Sequence, residues 1–205
     1  MATQQITRQQ QILEALAVEL ESHPCHRITI GKLAKTIGIS DAAIYRQFSC
    51  KAKMFEALIE FSEQTIFSII TRIEKEESTA LQRCQRVLSL VLGFADRNPG
   101  ITRLLTGNTV IDEKAQLYQR VYRIYERLET QIKQFLREGI LRGELSEELP
   151  VGPFANLMLS YVEGRLYQFV HSGFKQPPLE FWETQWQIFR REFDYYQLKT
   201  ESEAY

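Results

Sequence analysis

The chain lacks any apolar run approaching the roughly 20 residues that a helix needs to cross a bilayer, so a membrane span is excluded. Its first stretch, Met1 to Gln11, is polar and rich in Gln, without the apolar segment of a secretory signal. Cysteine is scarce. Cys25, Cys50 and Cys84 fall singly, with neither disulfide-framework nor ligand-type spacing, as suits a reducing cytoplasm. A glycine-rich phosphate loop, an HExxH pair and a nucleophile elbow are all missing, and with them the usual signatures of an enzyme. No catalytic residue, metal or cofactor is expected. His23 and His26 flank Cys25 in one short stretch, which reads as a surface turn rather than a metal site. Repeats, low-complexity tracts and strand-type alternation are absent too, which leaves helical periodicity almost throughout.

What is present is an ordinary globular composition, 44% hydrophobic and 25% charged over 205 residues, enough to bury a sizeable core. The 25 Lys and Arg nearly balance the 26 Asp and Glu. Their distribution is uneven. Residues 1–55 hold seven basic side chains (Arg8, Arg27, Lys32, Lys35, Arg46, Lys51, Lys53) against four acidic ones, leaving 18 basic and 22 acidic for the remainder. A basic head on an acidic body suits a polyanion at one end.

Capping residues and breakers divide the chain. Thr7 caps a first helix with Ile12, Leu13, Leu16, Ala17 and Leu20 on one face, ended by His23-Pro24-Cys25-His26. Thr29 caps a short helix to Ile37, Gly38-Ile39 turns the chain, and Ser40 caps another short helix. Ser49 caps a long helix from Lys51 to Lys75, and a fifth runs from Thr79 to Asp96, stopped by Asn98-Pro99-Gly100. Further helices are expected near Ile101–Leu105, from Asp112 to Glu138 with Gly139 and Gly143 ending it, from Pro150 to Ser172, and from Leu179 to Leu198. The fold class is therefore all-α: an N-terminal three-helix head over residues 1–50, then a larger helical body over 51–205.

The segment from Arg27 to Phe48 contains two short capped helices joined by a glycine turn, as a helix-turn-helix requires. Leu33, Ala34, Ile37, Ile39, Ile44 and Phe48 can form a small core with the first helix. Ala42 and Ala43 let the second short helix approach a groove closely, with Tyr45 and Arg46 beside them. Lys51 and Lys53 follow just past the head. Thr29 and Lys32 open the first short helix, whose free N–H groups can hold a phosphate. The competing reading is a helical hairpin that serves only the core. Two caps, a glycine turn, small residues and a basic edge in one segment favour double-stranded DNA. Asp41 is the dissonant member, an acid on the side meant for phosphates.

The run Thr29-x-x-x-Leu33-Ala34-x-x-x-Gly38-Ile39-Ser40-x-Ala42-Ala43-Ile44-Tyr45-Arg46-x-Phe48-x-x-Lys51 resembles the head of the TetR family of transcriptional regulators. That resemblance implies that the second short helix enters the major groove, with Ser40, Ala42, Ala43 and Arg46 facing bases and Thr29, Tyr45 and Lys51 gripping phosphates. It also implies a homodimer through the last two helices, carrying two heads to a pseudo-palindromic site. Those helices hold Phe154, Leu157, Met158, Tyr161, Leu166 and Phe169, then Phe181, Trp182, Trp186, Phe189 and Phe193, only part of which need be an internal core. Gly164, in a helix interior at a cost of about 1 kcal/mol against Ala, fits a close helix crossing.

Beyond the head, Leu58-Ile59-Glu60-Phe61, Leu92 to Gly107 and Glu163 to Lys175 are similar to the nucleoid occlusion branch of that family. The similarity implies a nucleoid-associated protein that binds chromosomal sites and antagonises the division protein FtsZ. It places the FtsZ C-terminal tail against Phe61, Leu90, Gly93, Arg97 and Asn98. Two positions depart from the branch: the N-terminal arm has only Arg8, and Ile69 stands where a basic residue is usual. A ligand-responsive repressor remains the alternative, with Leu88, Val91, Leu104, Leu117, Val121 and Tyr125 as candidate pocket lining.

Overall fold

The computed structural model describes residues 7–107 and 115–203. Among these, every regular element is helical: α1 (Arg8–Ser22), a 3-10 turn at Cys25–Arg27, α2 (Ile30–Ile37), α3 (Asp41–Gln47), α4 (Lys51–Glu76), α5 (Ala80–Arg97), α6 (Pro99–Leu105), α7 (Ala115–Leu141), α8 (Val151–His171) and α9 (Trp182–Glu203). Asp112, the expected start of the seventh helix, lies outside the described residues. None of the helices is long and apolar enough to cross a membrane. The fold divides into two compact units. One takes the chain to Thr65 together with Arg97–Tyr122, and the other takes Ile66–Asp96 and Arg123 onward.

In the first unit, the caps expected at Thr7, Thr29 and Ser40 form. The Thr7 side chain accepts from the Gln10 N–H while the Gln10 side chain accepts from the Thr7 N–H, closing a capping box. Ile12, Leu16 and Leu20 bury one face of α1 against α2, α3 and α6. The fifth helix stops at Arg97, just before Asn98-Pro99-Gly100, and the short helix that follows begins earlier than Ile101. Pro99 opens α6 with only Asn98 between it and the end of α5, since its missing N–H is an orphan at a helix start anyway. Gly100 matters for packing instead. A Cβ there would stand 1.9 Å from the Ala17 carbonyl oxygen, so α6 crosses α1 backbone to backbone. Arg103 ties the same crossing by donating to the Glu21 carbonyl at 3.1 Å.

The second unit packs the later part of α4, α5, the later part of α7, α8 and α9 around Phe67, Val87, Leu88, Leu92, Ile132, Phe135, Leu136, Met158 and Val162. Gly139, expected to end the seventh helix, lies inside it. Its absent Cβ would meet Ala80 Cβ at 2.6 Å and Leu145 Cδ1 at 2.9 Å, so glycine there admits the start of α5. Gly143, at φ +71, makes the turn instead. Glu144 then accepts from the Ala80 N–H at 2.7 Å, capping α5 from a distant segment. Arg83 pairs with Glu138 at 2.9 Å.

Much of the aromatic set on the last two helices closes inside the subunit. Phe154 meets Phe193 (centroids 4.8 Å) and Tyr161 meets Phe189 (5.5 Å), while Tyr161 donates to Gln185 at 2.6 Å. Arg165 donates to the carbonyls of Pro177, Pro178 and Glu180, holding the connection between α8 and α9. The close crossing expected at Gly164 is not found among the described residues of one subunit: a Cβ there would meet none of them within 4 Å.

Candidate nucleic-acid interface

The head is built as its sequence dictates. Thr29 caps α2 by accepting from the Lys32 N–H at 3.2 Å, and Ser40 caps α3 by accepting from the Ala43 N–H at 3.2 Å. Between them Gly38 adopts φ +70, ψ 36, a left-handed conformation that costs a residue with a Cβ about 1–2 kcal/mol. Its N–H and that of Ile39 return to the α2 carbonyls of Lys35 and Ala34 at 3.3 and 3.0 Å, which turns the chain sharply into α3. Leu33, Ala34, Ile44 and Phe48 bury the inner face, together with Ile28. Ile37, Ile39 and Leu13, expected in the same core, are half-buried at its rim.

This leaves one outward face. Thr29, Lys32, Ser40, Ala42, Tyr45, Arg46 and Lys53 are exposed, and Ala43 and Lys51 half-buried. Tyr45 is 53% exposed despite its size, an unusual position for an aromatic on a helix whose opposite side supplies the core. Lys51 places its ammonium 5.6 Å from the Phe55 ring centroid. Lys53 pairs with Glu56 in the next turn.

Lys32 behaves differently from its neighbours. Its ammonium lies 2.9 Å from Glu19 Oε2 on α1 and 3.2–3.3 Å from the ring nitrogens of His23. The hydrogen bond from Lys32 holds the Glu19 carboxyl below its ordinary value, with burial opposing. Lys32 is therefore a strut between α1 and α2 in the free protein. His23 joins that strut, and no group of three His, Cys, Asp or Glu side chains gathers as a metal site among the described residues.

Sequence reasoning missed part of the surface beside α3. Tyr45, Arg46, Gln47 and Lys53 border a concavity of about 600 Å³ that also takes in Gln9, Glu56, Glu60 and Arg120. Arg120 comes from α7 and pairs with Glu60 at 3.3 Å. Nothing in the local pattern around Arg120 signals this, because its neighbours are supplied by elements remote in sequence.

The residues assigned to partner docking fall in both units. In the first, Phe61 is 51% exposed, Arg97 is exposed and Asn98 stands at the N-cap position of α6 without a capping side-chain hydrogen bond. In the second, Leu90 is half-buried and Gly93 buried within α5. The alternative pocket residues divide likewise: Leu104, Leu117 and Val121 are buried in the first unit, Leu88 and Val91 in the second, where Tyr125 has its phenol pushed up by burial and by the nearby Glu163 charge.

Two family models match the chain. Residues 12–58 match the model described as bacterial regulatory proteins, tetR family, and residues 78–194 match the SlmA-like model described as tetracyclin repressor-like, C-terminal domain. The nucleoid occlusion factor SlmA of Alteromonas mediterranea is 47% identical over 192 residues, covering 94% of this chain and 98% of that protein. The SlmA protein of a Marinomonas species is 45% identical over 188 residues, covering 92% and 95%. Among solved structures, the fatty acid degradation regulator FadR from Bacillus halodurans superposes with a TM-score of 0.76 at 15% identity, covering 91% of this chain and 96% of that one. A TetR transcription regulator from Haloarcula marismortui gives 0.74 at 20%, covering 91% and 96%. These two likenesses are of fold. The chain belongs to the TetR family of bacterial regulatory proteins and, within it, to the SlmA-type nucleoid occlusion factors.

Proposed function

We propose that this protein is a sequence-specific DNA-binding nucleoid occlusion factor, a regulator rather than an enzyme, which occupies chromosomal sites and there inhibits FtsZ ring assembly. The observation that carries the DNA half is the head itself: a capped pair of short helices around a left-handed Gly38, with Tyr45 and Arg46 projecting from α3. In this reading residues 1–50 form the reading head and 51–205 the dimerisation and partner domain. Ser40, Ala42, Ala43 and Arg46 face the bases. Thr29, Tyr45, Lys51 and Lys53 hold phosphates, and Lys32 joins them by leaving Glu19.

Two heads come from a homodimer. Leu157, Gly164 and Tyr167 share one exposed face of α8, and Ile188 and Tyr195 share one of α9 at seven-residue spacing. An apolar stripe left open by one subunit, with a bare glycine in it, suits a second copy across a two-fold axis. The dimer reads a pseudo-palindromic duplex and is thereby nucleoid-associated. Phe61 and Arg97 are the exposed members of the set assigned to the FtsZ tail, one apolar and one able to pair with a carboxylate.

Binding of the purified protein to a duplex across a salt series tests the head. Tyr45→Ala and Lys51→Ala are expected to weaken binding to all sequences, and Lys51→Ala to flatten the salt dependence by about one unit of log–log slope per lost phosphate contact. Unaltered binding by both variants removes the head from DNA. Fluorescence anisotropy with an FtsZ tail peptide tests the second half: Phe61→Ala and Arg97→Glu should lose peptide binding while keeping DNA binding.

A further inference from the structure

The reading helix presents a single acid, Asp41, in its first turn. The side chain is exposed, and no ion pair among the described residues includes it. Its carboxylate leans over the first turn of α2: a Cβ on Gly31 would lie 3.5 Å from Asp41 Oδ2 and 4.0 Å from Oδ1. A Cβ at 31 would make only an ordinary van der Waals contact with the carboxylate, so nothing bulky crowds it on that side, and Ala42 next to it adds only a methyl group. The rest of the outward face is neutral or cationic: Ser40, Ala42, Tyr45 and Arg46.

An unneutralised carboxylate on a surface that meets a polyanion raises the electrostatic cost of every encounter. Phosphate oxygens and the thymine methyl group offer it nothing. The donors displayed in the major groove are the exocyclic amines, N4–H of cytosine and N6–H of adenine, and it is the N-terminal residues of a reading helix that reach base edges. We propose that Asp41 is a specificity-determining residue that accepts a hydrogen bond from the exocyclic amine of one cytosine or adenine in each half-site. Its charge also penalises registers that set it against a phosphate. The inference rests on the DNA-reading function above and names one contact within it. A purely structural acid at this place would act by favouring the start of α3, and that of α2 over whose first turn its carboxylate lies, through the helix dipoles.

The test uses the full chain, with wild type, Asp41→Ala and Asp41→Asn compared by selection from a random duplex library. Affinities are then measured on duplexes varied at each position. Wild type is expected to prefer cytosine or adenine at one position per half-site by about tenfold, the usual scale of one good base contact. Asp41→Ala should lose that preference alone and bind unrelated duplexes more tightly at low salt. Asp41→Asn should prefer adenine there, because an amide can bond N6 and N7 together. Identical base rankings in all three proteins overturn the inference, and so does a uniform gain in affinity with rankings unchanged. A change of thermal midpoint without a change of ranking assigns Asp41 to the helix start and overturns it as well. Failure of wild type to bind any duplex removes the parent function along with this contact.

Discussion

At the scale of single residues, Gly100 and Glu19 carry the clearest consequences. A methyl group at position 100 would occupy the space of the Ala17 carbonyl oxygen, 1.9 Å away, and backbone on both sides leaves nothing flexible to yield. Gly100→Ala is expected to destabilise by about 1–3 kcal/mol, as overpacking generally does, read as a lower urea midpoint with an unchanged m-value. Glu19 makes a pH prediction. Its carboxyl is held below the ordinary value of 4.5, first by the hydrogen bond from Lys32. A pKa depressed by folding contributes stability that is present above the unfolded value and lost as the pH falls through the folded one. Glu19→Gln should therefore be less stable than wild type at pH 7, with the gap closing below pH 4.5. Urea titrations at about pH 7, 5 and 3.5, which bracket the ordinary carboxyl range, check this; an equal gap at all three would mean that the charge plays no part. Glu163 has the opposite sign, raised by burial and by Glu129 beside it.

At the scale of elements, the hinge of the head is the joint between α2 and α3. Gly38→Ala puts a Cβ into a φ of +70, at a cost of about 1–2 kcal/mol, and the angle between the two short helices is what that strain distorts. Specific DNA affinity should fall more than stability does, seen by comparing anisotropy with the thermal midpoint. A fall in stability alone would mean that the joint absorbs the Cβ. The same glycine turn was legible in sequence because its signal is local: a cap, an apolar pattern, a glycine and another cap within about 20 residues. Gly100 and Gly139 were not legible in this way. Both look like breakers, and both serve instead as places where a second helix arrives, Ala17 against one and Ala80 against the other. A glycine's neighbours in sequence do not say which distant backbone will meet it.

At the scale of the molecule, the aromatic richness of the last two helices proved mostly internal. Phe154, Trp182, Trp186, Phe189 and Phe193 are buried within one subunit. The open remainder is small and periodic, which makes a dimer prediction specific. Ile188 is 59% exposed, so Ile188→Glu should leave helix content unaltered. It should yield a monomer by sedimentation and weaken duplex binding by at least about tenfold, since one head no longer raises the effective concentration of the other. A variant that remains dimeric moves the interface elsewhere.

The sequence alone determined the helical class, the capped helix pair of the head and the family, because caps, turn glycine and helical spacing act over a few residues and their energies are set by residue type. Tertiary structure decided everything that depends on partners brought from afar. It commits Lys32 to Glu19 rather than leaving it wholly free, brings Arg120 of α7 beside Tyr45 and Arg46, and sorts which aromatics close inside one subunit. The reason is that charge pairing and close packing are properties of distances between elements. Those distances come from the balance of all the buried faces together, which no local stretch of residues encodes.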